Sequence, residues 1–333
     1  MNHLYSKLLV IAALLLPLST LAQSSAARPE KCLAHHMYQE QLAGDANFQI
    51  NQQNLEIETQ QFVNQYIADK QAGNQRNASV VRIIPVVFHI IHIGGPENIS
   101  RTQCVNQIDS LNMDFRRLNA DAAQTPAPFQ ALGGDAEIEF RLATLDPQGN
   151  CTDGVVRVYS ELTTDARNNV KALSYWPSNK YLNIWVVKSI ENTSGAAGII
   201  LGFAQFPGGA ASTDGVVMRH DVVGSIGTAA NAGFDNTGRT ATHEVGHWLN
   251  LRHIWGDATC GSDLVSDTPV HNTSNGGCPA QPHYSTCSGA PREMTMNYMD
   301  YTYDACMYMF TEQQKIRMQA TYAVGGPRAS FIN

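Results

Sequence analysis

Residues 243 to 253 read HEVGHWLNLRH, and this run holds His243, Glu244, His247 and His253. On an α-helix, positions i and i+4 share one face a single turn apart. His243 and His247 can therefore aim two imidazoles at one point, with Glu244 beside it. Three neutral imidazoles around an open fourth position are the arrangement of a catalytic zinc. His253 supplies the third only if the chain leaves the helix and doubles back. Asn250 lies at the right place, since Asn is the non-glycine residue that best tolerates a left-handed backbone. The run predicts a helix to about Leu249, a sharp turn at Asn250, and His253 rising from below the metal. Such a centre lowers the pKa of a water, and Glu244 could accept its proton, which is the chemistry of peptide-bond hydrolysis. A set of core histidines would leave three polar rings crowded together without purpose.

The elements that must position this site follow from hydrophobic patterning. Arg82 to Ile93 (RIIPVVFHIIHI) is a β-branched strand closed by Gly94-Gly95-Pro96. Thr102 to Leu118 spaces Val105, Ile108, Leu111, Met113 and Phe115 as an amphipathic helix does. Ala136 to Ala143 alternates as a half-buried strand, Arg167 to Leu173 is a short helix, and Tyr181 to Val187 is a third strand. Ala196 to Phe206 is apolar with interspersed glycine, Gly215 to Met218 is a further strand, and Thr311 to Ala323 is a closing helix. Strand–helix–strand order predicts an α/β layer, with helices backing a mixed, twisted β-sheet.

Composition bounds the rest. The chain has 333 residues, 43% hydrophobic and 15% charged, enough for one large core or two small ones. A net charge of −7 without a basic run argues against nucleic acid as a partner. Lys7, the apolar stretch Leu8 to Leu18 and Thr20-Leu21-Ala22 read as an export signal, residues 1–22, cut after Ala22. The apolar stretch is too short to span a bilayer, so no membrane association is expected and the protein should be secreted, extracellular or periplasmic. Seven cysteines in an exported chain imply disulfides with one thiol left over, but their connectivity is not fixed by sequence.

Residues 23–80 are polar, with a helical segment from Leu55 to Ala68 and a soft stretch from Gln71 to Ser79. Soft polar loops are where proteases nick. The region reads as a pro-segment, with Arg76 or Arg82 near the maturation point, against a small N-terminal subdomain that stays attached. Within it Cys32 could place a thiolate at the open position of the zinc and hold the chain as a zymogen. Downstream, Asp263, Asp267 and Thr268 offer hard oxygen donors in a tight loop, the ligand class calcium favours.

HEVGHWLNLRHIWGD resembles the zinc signature of the metzincin metallopeptidases, and specifically of the pappalysin family, with Asn250 where the motif usually has glycine. The resemblance runs from about residue 80 to the end and more thinly over the pro-segment. It implies a metzincin-type catalytic domain over 81–333. An upper subdomain (81–253) carries the sheet and the zinc helix, and a lower, irregular, disulfide-held subdomain spans 254–333. It implies the pairs Cys260–Cys287 and Cys278–Cys306; Cys104 and Cys151 are then expected to pair, leaving Cys32 as the odd thiol. It further implies calcium near Asp263, and a cysteine switch at a residue such as Cys32. Met299, in the run from Met296 to Tyr301, is implied as the apolar floor beneath the metal. Tyr301 is implied as a hydroxyl donor to the reaction intermediate. Gly202, Phe203 and Ala204 are implied as the edge strand that grips substrate backbone. In some relatives an acidic residue just before the last cysteine goes with a taste for Arg or Lys; here that position is Ala305, with Asp304 one earlier, so the preference stays open.

The function expected is a zinc-dependent endopeptidase, acting as a monomer on protein or peptide substrates. Its rival from another class is a catalytically silent zinc- and calcium-binding adhesion protein, which the intact Glu244 disfavours. A thermolysin-type enzyme would take a downstream Glu as third ligand, which His253 disfavours.

Overall fold

The computed structural model describes residues 30–74, 81–323 and 325–331. The export signal and Arg76 lie outside these residues. Two helices, α1 (Ala34–Gly44) and α2 (Ala46–Gln71), come first. Asp45 joins them, its carboxylate accepting from the amides of Asn47 and Phe48 and so capping α2. Then follow β1 (Arg82–His92), α3 (Arg101–Phe115), a one-turn α4 (Ala127–Gln130), β2 (Ile138–Leu142), β3 (Val155–Tyr159), β4 (Leu182–Val187), β5 (Gly202–Ala204) and β6 (Val216–Arg219). The helix α5 (Arg239–Trp248) carries the histidine motif. Short β7 (Gly276–Gly277), β8 (Tyr301–Thr302) and the closing α6 (Glu312–Ala320) complete the chain.

The sheet runs β2–β1–β4–β6–β5, with β3 also on β1, beyond β2 on the same side. Every pair is parallel except β5 with β6. Parallel strands are covered on both faces and so read as continuous apolar runs. The all-buried β4, LNIWVV, shows this. The sheet is thus mixed and backed by helices, as the sequence predicted. The antiparallel strand β5 forms one border of the sheet and packs on α5.

Within Ala196 to Phe206 the strand is Gly202–Ala204, the run implied as the edge, and Gly195 and Gly198 in left-handed backbone hold its approach as a loop. Two expectations change. The helical segment after Leu55 begins earlier and runs longer than predicted, as α2. The pair Cys104–Cys151 is not formed: Cys104 points from α3 into the core, Cys151 is exposed on the loop before β3, and both are free. Arg82 lies inside β1 with its amide on the Glu137 carbonyl, a poor place for a protease to cut.

Below the sheet, residues 254–311 have little regular structure. They are held by Cys260–Cys287 and Cys278–Cys306, both formed as expected. Thr311 caps α6 in a reciprocal box with Gln314. Among the described residues, no helix is long and apolar enough to cross a membrane.

Candidate active site

Helix α5 ends in a tight reversal. Leu251 N–H donates to the Gly246 carbonyl and Asn250 N–H to that of His247, the paired bonds of a Schellman stop. Asn250 supplies the left-handed residue that this stop needs, at φ 73°. The chain therefore turns under the helix and brings His253 back. The Nε2 of His247 lies 3.1 Å from that of His243 and 3.1 Å from that of His253. Ligand nitrogens on a tetrahedral zinc, at ~2.0–2.1 Å from the metal, stand ~3.3 Å apart.

Each ring is held by its other nitrogen. His243 Nδ1 donates to the Tyr298 carbonyl at 2.7 Å, His247 Nδ1 to that of Leu251 at 2.8 Å, and His253 Nδ1 meets the Asp257 carboxylate at 2.5 Å. These contacts fix the tautomer that leaves each Nε2 lone pair free. Burial, and then the neighbouring His253, hold His243 down at about 3 and His247 well below its ordinary range. These two rings stay neutral, as metal ligands must. Among the described residues, Cys32, His243, His247 and His253 form the one group of His, Cys or acidic side chains whose donor atoms all lie within 4.8 Å of one another. This donor set fits zinc.

Glu244 is fully buried beside the histidines. One carboxylate oxygen has no partner, and the other lies 3.4 Å from the Cys32 thiol. Burial pushes its carboxyl up to about 8. Gly202 of β5 faces it closely, and a Cβ there would stand 2.9 Å from the Glu244 side chain.

Beneath the site, the loop carrying Met299 meets α5 at Gly246, where a Cβ would lie 2.6 Å from the Met299 Sδ. The amide of Ile254 donates to the Met299 carbonyl at 3.1 Å, tying this floor to the turn after His253. The ring of Tyr301 stands 5.0 Å from His253 and 5.8 Å from His243. Its hydroxyl donates to Glu30 and, at 3.2 Å, to the Cys32 carbonyl.

The N-terminal segment lies along β5. Leu33 N–H donates to the Gly202 carbonyl, and Leu201 N–H to that of Lys31, in a parallel bridge centred on Cys32 and Gly202. Either side of Phe203, the Leu201 carbonyl and the Gln205 amide bond across to β6. Alternation along a strand therefore turns the Phe203 backbone inward and leaves Gly202 and Ala204 facing the cleft. Of the three expected edge contacts, Phe203 is thus the exception.

The oxygen-donor loop is only partly brought together. The Thr268 hydroxyl lies 2.9 Å from both Asp263 oxygens and from the Val265 carbonyl. The carboxylate of Asp267 is instead engaged by the Thr311 hydroxyl and the Gln313 amide at the start of α6. Burial raises the Asp263 carboxyl to about 7.

Sequence reading missed three participants. Asp257 holds His253, and its place four residues on was the available signal. His35 reaches the same carboxylate at 3.0 Å. Lys31 lies over the Tyr303 ring and pairs with Asp235 at 2.7 Å, at the mouth of a pocket shared with Glu244 and His243. Asp304, weighed as a specificity residue, lines that pocket too, but its carboxylate accepts from Thr237 and from the Arg239 amide at the start of α5.

Comparison with known proteins agrees with this geometry. Residues 165–323 match the family model described as Pregnancy-associated plasma protein-A. Mature mirolysin of Tannerella forsythia in complex with a cleaved peptide is 42% identical, covering 75% of this chain and 95% of its own, with a TM-score of 0.69. Promirolysin of the same organism is 37% identical, covers 91% and 97%, and superposes with a TM-score of 0.71. An extracellular metalloprotease of Trichophyton verrucosum is 29% identical over 245 residues, 72% of this chain and 77% of its own.

Proposed function

The chain belongs to the pappalysin family of metzincin zinc metallopeptidases, and from that premise we propose a secreted endopeptidase made as a zymogen, with Glu244 as its general base. One observation carries the reading: three Nε2 atoms converge on a point with a buried, half-unpartnered carboxylate beside it. His243, His247 and His253 would hold the zinc. A zinc there supplies Lewis acidity, acidifying a water and polarising the scissile carbonyl. Glu244 takes the proton from the attacking water and passes it to the departing amine. The outward backbone of Gly202 and Ala204 pairs with the extended substrate. Tyr301 keeps its proton, because burial raises its pKa well above the ordinary range, and its hydroxyl donates to the developing oxyanion.

Residues 30–33 support the zymogen reading. They occupy the β5 edge that a substrate would need, with Cys32 among the ligand atoms. The chain is also covered more fully by promirolysin than by mature mirolysin, 91% against 75%. Export is supported by the leader and by relatives described as extracellular. Asp263, Thr268 and the Val265 carbonyl are the group we assign to calcium, with the carboxylate of Asp267 serving α6 instead. The Lys31–Asp235 pair supports a preference for a basic substrate side chain in the pocket beside Glu244. The orphaned Glu244 oxygen speaks against the silent binding protein.

The test is casein and peptide-library cleavage by wild type and Glu244→Ala. The variant should keep its zinc and lose ~10²–10⁴-fold in turnover. Retained turnover refutes the base assignment.

A further inference from the structure

Helix α2 grips the catalytic body at the base of the zinc turn. Arg317 on α6 is 1% exposed. Its Nε donates to the Asn250 carbonyl at 2.7 Å, at the reversal between His247 and His253. Its two terminal nitrogens both donate to the Glu56 carboxylate of α2, at 2.9 and 2.5 Å. A fork-to-carboxylate pair of this kind is among the strongest contacts a surface helix can make. One turn along α2, the buried Thr59 hydroxyl accepts from Asn250 Nδ2 at 3.3 Å. A glycine at position 250 would lack that amide. Gln52 extends the grip, donating to the Pro207 carbonyl at 2.6 Å just past β5. Burial alone would raise the Glu56 carboxyl, yet Arg317 holds it below the ordinary range.

We propose that Arg317 and Asn250 form a second, zinc-independent docking site for α2, which keeps the N-terminal piece bound after the chain has been cut. This rests on the zymogen reading above. A cut after residue 74 severs only the covalent link. Cys32 faces the three histidines, whereas Glu56 and Thr59 face a guanidinium and an amide that no chelator touches. Activation then has two stages, cleavage and release, and the released piece, which carries Cys32 as well as α2, inhibits in trans. The partner this surface fits is a helix with a carboxylate and a small hydroxyl three residues apart, the chemistry of residues 45–72.

The experiment uses the full chain, matured and passed over a size-exclusion column. Wild type and Cys32→Ala should both retain the cut piece on the body. Glu56→Ala with Thr59→Val should release it, with affinity lower by about 10- to 100-fold. Both substitutions lie in the departing piece, so the mature body is unchanged. Should that variant fail to fold, Glu56→Gln alone in the full chain gives the same reading on the column, and the wild-type piece should stay on the body with or without chelator. A cut piece that elutes apart in wild type, or that stays equally bound in the variant, overturns the proposal alone. A chain that never loses residues 30–74 overturns the zymogen reading with it.

Discussion

Gly246 on α5 and Met299 on the loop beneath it are in such close contact that only a residue without a side chain fits between helix and floor. A Cβ at position 246 would lie 2.6 Å from the sulfur of a methionine that is itself fully buried. Helix propensity alone would favour alanine by ~1 kcal/mol. Overpacking a filled core costs ~1–3 kcal/mol. The clash should win. Gly246→Ala is expected to lower Tm and weaken zinc retention, and adding Met299→Ala should recover part of the loss. Calorimetry of the single and double variants checks this, and a more stable single variant would contradict it.

Asn250 holds its left-handed backbone at the turn that delivers His253. In the mature enzyme, Asn250→Gly should be near neutral, since glycine adopts φ > 0 freely. Asn250→Ala should cost ~1–2 kcal/mol, because an ordinary Cβ resists that conformation. Equal stability of the two variants, by thermal or denaturant unfolding, would show that the turn imposes no such demand.

Asp257 meets His253 Nδ1 and so fixes which ring nitrogen faces the metal. Outer partners of this kind are worth ~10–100-fold in metal affinity. Asp257→Asn should lose zinc to a competing chelator at correspondingly lower concentration while the fold, by circular dichroism, is kept. Unchanged affinity would remove Asp257 from the site.

Lys171 is buried between the Trp185 and Phe203 rings, its ammonium donating to the Thr213 carbonyl at 2.6 Å. Burial lowers its pKa from 10.5 to about 7. Between pH 7 and 10.5 the unfolded chain therefore binds the proton that the folded chain has shed. The unfolded state holds more protons there, so this group's contribution to stability rises with pH across that window. Below pH 7 both states are charged and the full cost of burial, on the order of 5 kcal/mol, is present. Lys171→Met should stabilise most below pH 7, with the gain fading towards pH 10.5. A gain that does not change with pH would contradict the assignment.

The legible part of this molecule was local. The zinc helix, the turn at Asn250 and the return of His253 are written within eleven residues, because helix pitch and one backbone preference decide them. Strands β1 and β4 announced themselves because parallel strands are apolar throughout. What escaped was long-range. Lys31 finds Asp235 across 204 positions, and Arg317 finds Glu56 across 261, pairings set by tertiary packing with no local trace. The expected Cys104–Cys151 pair failed for a similar reason: an odd number of thiols says nothing about which of them face the core. Phe203 was misplaced by one step of strand alternation, since register is set by its partner β6 and not by its own sequence.

The most direct test of the central claim is anomalous diffraction at the zinc edge from crystals of the mature protein. One strong peak is predicted, ~2.0–2.1 Å from the Nε2 atoms of His243, His247 and His253. A peak elsewhere, or one that His253 does not reach, would contradict the account.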